Sequence, residues 1–301
     1  MSATPVVVGV VSPGEMGSAL GAALRRGGAS VLTTVAGRSP RTAELSRRAG
    51  LEQVADLDEV VRRSAVLLSV VPPQEAAEVA SDLVGRARRL GVRPVLADLN
   101  AVSPRAVAAL ADVAAGAGLE LVDGAVSGAP PAPGRAARLL LAGPAAAVVA
   151  DLPWTDVQVS VVGAAVGAAS AAKMCTGGVR KGLTALVVNA LLTAAEHDVL
   201  EPVEAELRRA LGRDPLVEAE LGASKAWRFV PEMEAVADTL ADAGLDPALH
   251  RAVAEVFRRA ATSPLARRRP EDVDRGDRVW TAENRAALVA DLRPAPTGGS
   301  R

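Results

Sequence analysis

The chain has 301 residues, enough for two cores, with half of them hydrophobic and a formal net charge of −1. One cysteine excludes an internal disulfide, and two histidines leave a structural zinc site almost without ligands, so no metal is expected. A near-neutral charge, no tyrosine, two phenylalanines and three tryptophans argue against a nucleic-acid or lipid surface as partner.

The first element is a β-branched run, Val6 to Val11, that passes through a tight turn into an Ala/Leu-rich helix over Glu15–Arg26. The turn, Ser12-Pro13-Gly14-Glu15-Met16-Gly17, suits a pyrophosphate, because glycine lets backbone approach an anion and the first helical N–H groups point at it. Gly14 and Gly17 hold the second and third places of G-x-G-x-x-G, and Ser12 stands where the first glycine is expected. The second strand, Ser30–Ala36, runs into Gly37-Arg38-Ser39-Pro40-Arg41. An NAD site places an acid there for the ribose 2′-hydroxyl. Arg38, with Ser39 and Arg41 beside it, suits a 2′-phosphate instead and favours NADP over NAD. The plainer alternative is a solvated basic loop.

Strands over Ala65–Val71, Arg93–Leu99 and Glu120–Asp123 alternate with helices over Arg41–Arg48, Gln74–Arg89 and Pro104–Ala115. Arg138–Ala142 and Val157–Val162 follow as closing strands. Near-continuous apolar strands joined by amphipathic helices predict an α/β domain with a doubly wound Rossmann-type parallel sheet, its ligands at the carboxyl ends of the strands. Three loops fall at that edge. Val71-Pro72 ends the third strand, and Asn100 follows the fourth, placed to bond a nicotinamide amide or a substrate oxygen. After the fifth, Ser127-Gly128 offers a hydroxyl and flexible N–H groups to a carboxylate. Each also reads as an ordinary turn, and Ser103-Pro104 as a helix cap and first helical residue.

The apolar stretch Val157–Ala172 is broken by Gln158, serines and glycines, and reads as strand, turn and buried helix rather than a membrane span. Beyond Gly163 strand signals vanish. One long helix over Ala165–Leu200 and shorter ones over Glu201–Leu211, Ala226–Ala243, Pro247–Ala261 and Ala282–Leu292 predict an all-α domain, with Pro264–Arg278 a charged connector. The expected domains are residues 1–162 and 163–293, followed by a Pro/Gly/Ser-rich tail, 294–301, expected to be disordered. The N-terminal residues lack the basic-then-apolar order of a signal peptide, and a cytoplasmic protein is expected. Within the long helix, Lys173 is the first cation after an apolar run. A lysine there must face a cleft, be paired or lose its charge, conditions that also allow proton transfer near neutral pH. The alternative is a snorkelling lysine with its stem on the core.

Taken in order, the glycine turn, Arg38, Asp98-Leu99-Asn100, Val126-Ser127-Gly128 and Gly163-x-x-x-Gly167 leading to Lys173 resemble the β-hydroxyacid dehydrogenases. That group includes 3-hydroxyisobutyrate and 6-phosphogluconate dehydrogenases. Ala226-Trp227-Arg228-Phe229-Val230-Pro231-Glu232 and His250-Arg251-Ala252 resemble a subgroup with a short helical C-terminal domain. The resemblance implies NADPH-dependent hydride transfer between nicotinamide and the carbonyl or alcohol carbon of a small polar, carboxylate-bearing substrate. It makes Lys173 the general acid/base, Ser127 and Gly128 the carboxylate grip, and Asn100 a neighbour of nicotinamide and substrate. It also implies homodimers joined through the helical domain. Gly177 stands where well-known members carry a substrate-orienting asparagine, Ala129 replaces a glycine, and Ser12-Pro13 replaces Gly-Leu or Gly-Phe. Two alternatives stay open: an imine reductase on the same scaffold, and an NADP-binding sensor or partner protein without turnover.

Overall fold

The computed structural model describes residues 5–270, 272–274, 276 and 278–294, which divide into two compact units, one ending at Met174 and the other beginning at Cys175. The first unit is built on one sheet of β1 (Val7–Val11), β2 (Ser30–Thr33), β3 (Glu52–Gln53), β4 (Val66–Ser69), β5 (Val95–Asp98), β6 (Leu121–Ser127), β7 (Ala137–Ala142) and β8 (Val157–Gly163). Their order is β3-β2-β1-β4-β5-β6-β7-β8. The chain steps outward from β1 to β3 and restarts at β4 on the other side of β1. The topological switch point of a doubly wound sheet therefore lies between β1 and β4.

The expected parallel sheet holds with one correction: β6 and β7 are antiparallel, while the other pairs run parallel. The link from Ser127 to Ala137 is too short for a crossover helix, so the chain can only turn back. Helices α1 (Glu15–Arg26), α2 (Pro40–Arg48), α3 (Leu57–Arg63), α4 (Ala76–Leu90), α5 (Pro104–Ala115) and α6 (Ala146–Ala150) flank the sheet. Because successive strand residues face opposite sides, Leu67 joins Val61, Leu83 and Leu110 in one core layer, while Leu68 joins Leu20, Leu24 and Leu139 in the other. β3, α3 and α6 have no counterpart among the elements expected from the sequence. They span two, seven and five residues, too short to show a period.

The long helix α7 (Ala168–Glu196) begins in the first unit and continues into the second. The first unit reaches past residue 162 because its own residues bond the start of α7. Val157–Ala172 is strand, turn and helix start as expected, and no described helix is long and apolar enough to cross a membrane.

The second unit continues with α8 (Leu200–Leu211), α9 (Pro215–Ser224), α10 (Ala226–Asp242), α11 (Ala248–Ala260) and α12 (Ala282–Leu292). Leu191, Leu216, Ala219, Leu265, Leu288 and Leu292 form its core. Helix α9 is absent from the sequence reading because it is buried nearly all round and so has no polar face to mark its period. Its start is nevertheless explicit: Asp214 accepts from the N–H groups of Leu216 and Val217, with Pro215 in the first helical place. The segment 264–278 is more than a connector. Pro264–Arg267 forms a 3₁₀ turn, and Arg268 and Arg278 both bind the buried Glu220. The tail beyond Pro294 lies outside the described residues.

Candidate functional site

At the carboxyl end of β1 the backbone turns through Ser12 with φ +65°. This is the left-handed region that a glycine enters freely and that costs another residue about 1–2 kcal/mol. The serine thus stands in a conformation suited to glycine. The Gly14 N–H donates to the Ser12 carbonyl at 2.8 Å. A Cβ at Gly17 would stand 2.6 Å from that same carbonyl oxygen, so α1 packs on the turn only with glycine there. A Cβ at Gly14 would meet nothing within 4 Å, and the Pro13 carbonyl is held by the Ser18 hydroxyl at 2.6 Å. The first bond of the α1 ladder runs from Ser18 N–H to the Gly14 carbonyl, 2.8 Å. The N–H groups of Glu15, Met16 and Gly17 therefore precede the ladder and face outward over an open glycine backbone, which fits a pyrophosphate.

Beyond β2, Gly37 (φ +69°) reverses the chain and leaves Arg38, Ser39 and Arg41 exposed. Ser39 caps α2, its hydroxyl accepting from the Thr42 N–H at 3.3 Å. The loop is thus held in shape while the Arg38 side chain reaches solvent.

The carboxyl ends of β4, β5 and β6 carry a buried polar row. Ser69 pairs in register with Asp98, and Asp98 with Asp123, and all three are nearly inaccessible. Asn100, also buried, knits the row to the loops. Its Nδ2 donates to Asp98 at 2.7 Å and to the Ser69 hydroxyl at 3.2 Å, while its Oδ1 accepts from the Val71 N–H at 2.7 Å. Both Asn100 donors are thereby used inside the protein, leaving one oxygen lone pair for a ligand. Pro72, beside Val71, leads into a 3₁₀ turn over Pro73–Glu75. Burial pushes the Asp98 carboxyl up from 3.8 to about 6, opposed by its bonds from Asn100; the Asp123 charge pushes the same way as burial, and the Lys173 charge draws it down.

Asp123 is fully buried and accepts three bonds from the start of α7: Gly167 N–H at 2.9 Å, Ser170 N–H at 3.0 Å and Ser170 hydroxyl at 2.6 Å. Lys173 follows one helical turn later. Ser127 ends β6 half-buried, and Gly128 (φ +103°) opens the following turn. Gly177, on α7, belongs to the second unit. A Cβ there would stand 3.4 Å from the Lys181 Nζ, which pairs with Glu232 and lies 5.2 Å from the centre of the Phe229 ring.

Within the first unit, the fold gathers Asn100, Val71 and Lys173 about the Asp98–Asp123 row and sets the glycine turn and Arg38 at the ends of the neighbouring strands β1 and β2. The sequence reading does not single out Asp98, Asp123 or Ser170. Their signal is an acid closing an otherwise apolar strand segment, as in Val95-Leu96-Ala97-Asp98 and Leu121-Val122-Asp123. A second signal is composition: among 34 basic residues only Lys173, Lys181 and Lys225 are lysines, the one type that can release a proton near neutrality.

These features define a Rossmann-type fold with an appended helical domain, and comparison with known proteins agrees. A Rossmann-like domain model matches residues 1–114, and the domain of unknown function DUF1932 matches residues 194–260. The two models fall on the sheet-bearing and the helical part of the chain respectively. No curated protein sequence matches it. Among solved structures, one similar chain is a conserved protein of unknown function described as structurally similar to 3-hydroxyacid dehydrogenases (27% identity over 85% of this chain and 97% of that one, TM-score 0.65). Another is a Mycobacterium tuberculosis 3-hydroxyisobutyrate dehydrogenase solved with L-serine (18%, 96% and 100%, TM-score 0.69). A third is an imine reductase from Myxococcus stipitatus in complex with NADP+ (19%, 85% and 94%, TM-score 0.53).

Proposed function

We propose that the protein is an NADPH-dependent oxidoreductase that interconverts a carbonyl and an alcohol on a small polar, carboxylate-bearing substrate. The observation that carries this reading is the buried row at the sheet's carboxyl edge, whose last acid holds the helix that presents Lys173. A nicotinamide cofactor, when bound, supplies or accepts the hydride. Glu15, Met16 and Gly17 N–H groups would hold its pyrophosphate, and Arg38, Ser39 and Arg41 its 2′-phosphate, whereas NAD would leave that basic loop unused. The Lys173 ammonium gives a proton to the oxygen when the carbonyl is reduced, and the neutral amine takes it back when the alcohol is oxidised. Ser127 and Gly128 hold the substrate carboxylate, with Asn100 bracing the loops beside them. The bare Gly177 leaves space that the Lys181 ammonium borders.

The working form in this reading is a homodimer through the helical domain. In support, Val179 and Leu186 are exposed on α7, and with Leu183 between them they follow the 3–4 spacing of a helix-pairing seam.

The test is a panel of β-keto acids and cyclic imines offered with NADPH and with NADH. Consumption of NADPH with a keto acid is the expected result. Consumption with imines alone favours an imine reductase, and NADPH binding without consumption across the panel favours a sensor.

A further inference from the structure

The role given to Lys173 depends on where its amine stands, and the structure shows what fixes that place. A carboxylate at a fully buried strand position is costly unless its oxygens are filled. Those of Asp123 are filled from α7, by Gly167 and Ser170. These are the bonds of a helix N-cap, supplied by a strand residue 44 positions earlier in the chain instead of by the residue ahead of the helix. An ordinary cap ties a helix to its own loop. This one ties α7 to β6, and through the register neighbour Asp98 and Asn100 to β5 and β4.

Two further contacts lie beside this tie. Gly167 has φ +104°, and a Cβ there would come 3.5 Å from the Cβ and the carbonyl oxygen of Pro104, so the helix entry is held between Pro104 and Asp123. Beneath the first turn Ala169 packs on Ala125 of β6 and Ala142 of β7, with Leu140 and Ala168 beside them. Ser170, which carries two of the three bonds, lies one helical turn before Lys173 on the same face.

We propose that Asp123 is the positioning residue of Lys173, fixing the amine against β5 and β6 by capping α7 from the sheet. Its consequence for turnover rests on the reading of Lys173 as acid/base; the placement itself does not.

The chain's three lysines make both parts measurable. In the full-length protein carrying ¹³C-dimethylated lysines, the Lys173 methyl signal is assigned by its loss in Lys173→Arg. In Asp123→Asn and Ser170→Ala that signal should shift and broaden while those of Lys181 and Lys225 stay in place. With the acceptor found in the panel, kcat should fall about tenfold to a hundredfold, with KM and the NADPH dissociation constant little changed. Ser170→Ala removes a single bond and carries the test if Asp123→Asn does not fold. An unmoved Lys173 signal in folded variants overturns the inference, whatever the turnover. A moved signal with unchanged kcat upholds the placement and counts against the acid/base reading instead.

Discussion

The two units of this chain bury their acids in different company. In the helical unit Glu204 accepts from Arg208 and Arg285, and Glu220 from Arg268 and Arg278, at 2.6 to 3.0 Å. In the sheet unit Asp98 and Asp123 accept from peptide N–H groups, an amide and a hydroxyl. A guanidinium is a permanent cation that grips a carboxylate through a rigid fork of N–H groups, so such clusters lock a fold. Neutral donors leave the acid's charge answerable to its surroundings, and Asp98, pushed up to about 6, shows the result. The same acidic side chains are thus held by cations in one unit and by neutral donors in the other.

Four variants sharpen or break that contrast. The largest effect belongs to the helical unit. Replacing both Arg268 and Arg278 by Met strands the Glu220 charge and should cost about 3–5 kcal/mol in denaturant unfolding, with NADPH affinity unchanged. A small loss would mean that the arginines are not what holds this acid.

Next comes Asp98→Asn. A carboxyl whose folded value lies above its ordinary 3.8 binds its proton more tightly in the folded state. Its contribution to stability is therefore greatest below pH 4 and is lost as the pH rises to about 6, a span of about 3 kcal/mol. The wild-type protein should lose that much relative to Asp98→Asn between pH 4 and 7. A constant offset between the two unfolding curves would contradict the shift.

Smaller again is Arg38→Glu, which should weaken NADPH by about 2 kcal/mol more than NADH in direct titrations. Equal losses would contradict a 2′-phosphate site at this loop. The least change is expected from Ser12→Gly, a stabilisation of ~0.5 kcal/mol as the left-handed strain is relieved and part of the gain returns as chain entropy. A destabilised variant would show that the Ser12 side chain has a packing role.

The sheet unit was largely legible in the sequence, because buried parallel strands are unbroken apolar runs and the turn before α1 bears its glycines in order. The antiparallel β7 was not, since strand direction leaves no mark on side-chain pattern and follows only from the short return after Ser127. In the helical unit α9 escaped notice because a helix buried nearly all round lacks the polar face that gives a period. The site was half legible. Lys173 stood out as a cation in an apolar run, whereas the acid that caps its helix lies 44 residues before Gly167 and is joined to it only by folding.

The central claim is that Lys173 handles the proton in an NADPH-dependent reduction. NADPH consumption by the wild-type protein and Lys173→Ala, with the keto acid that the panel identifies, tests it most directly. The account predicts a loss of turnover of about 10²–10⁴-fold with NADPH affinity preserved. Near-normal turnover in Lys173→Ala would contradict it.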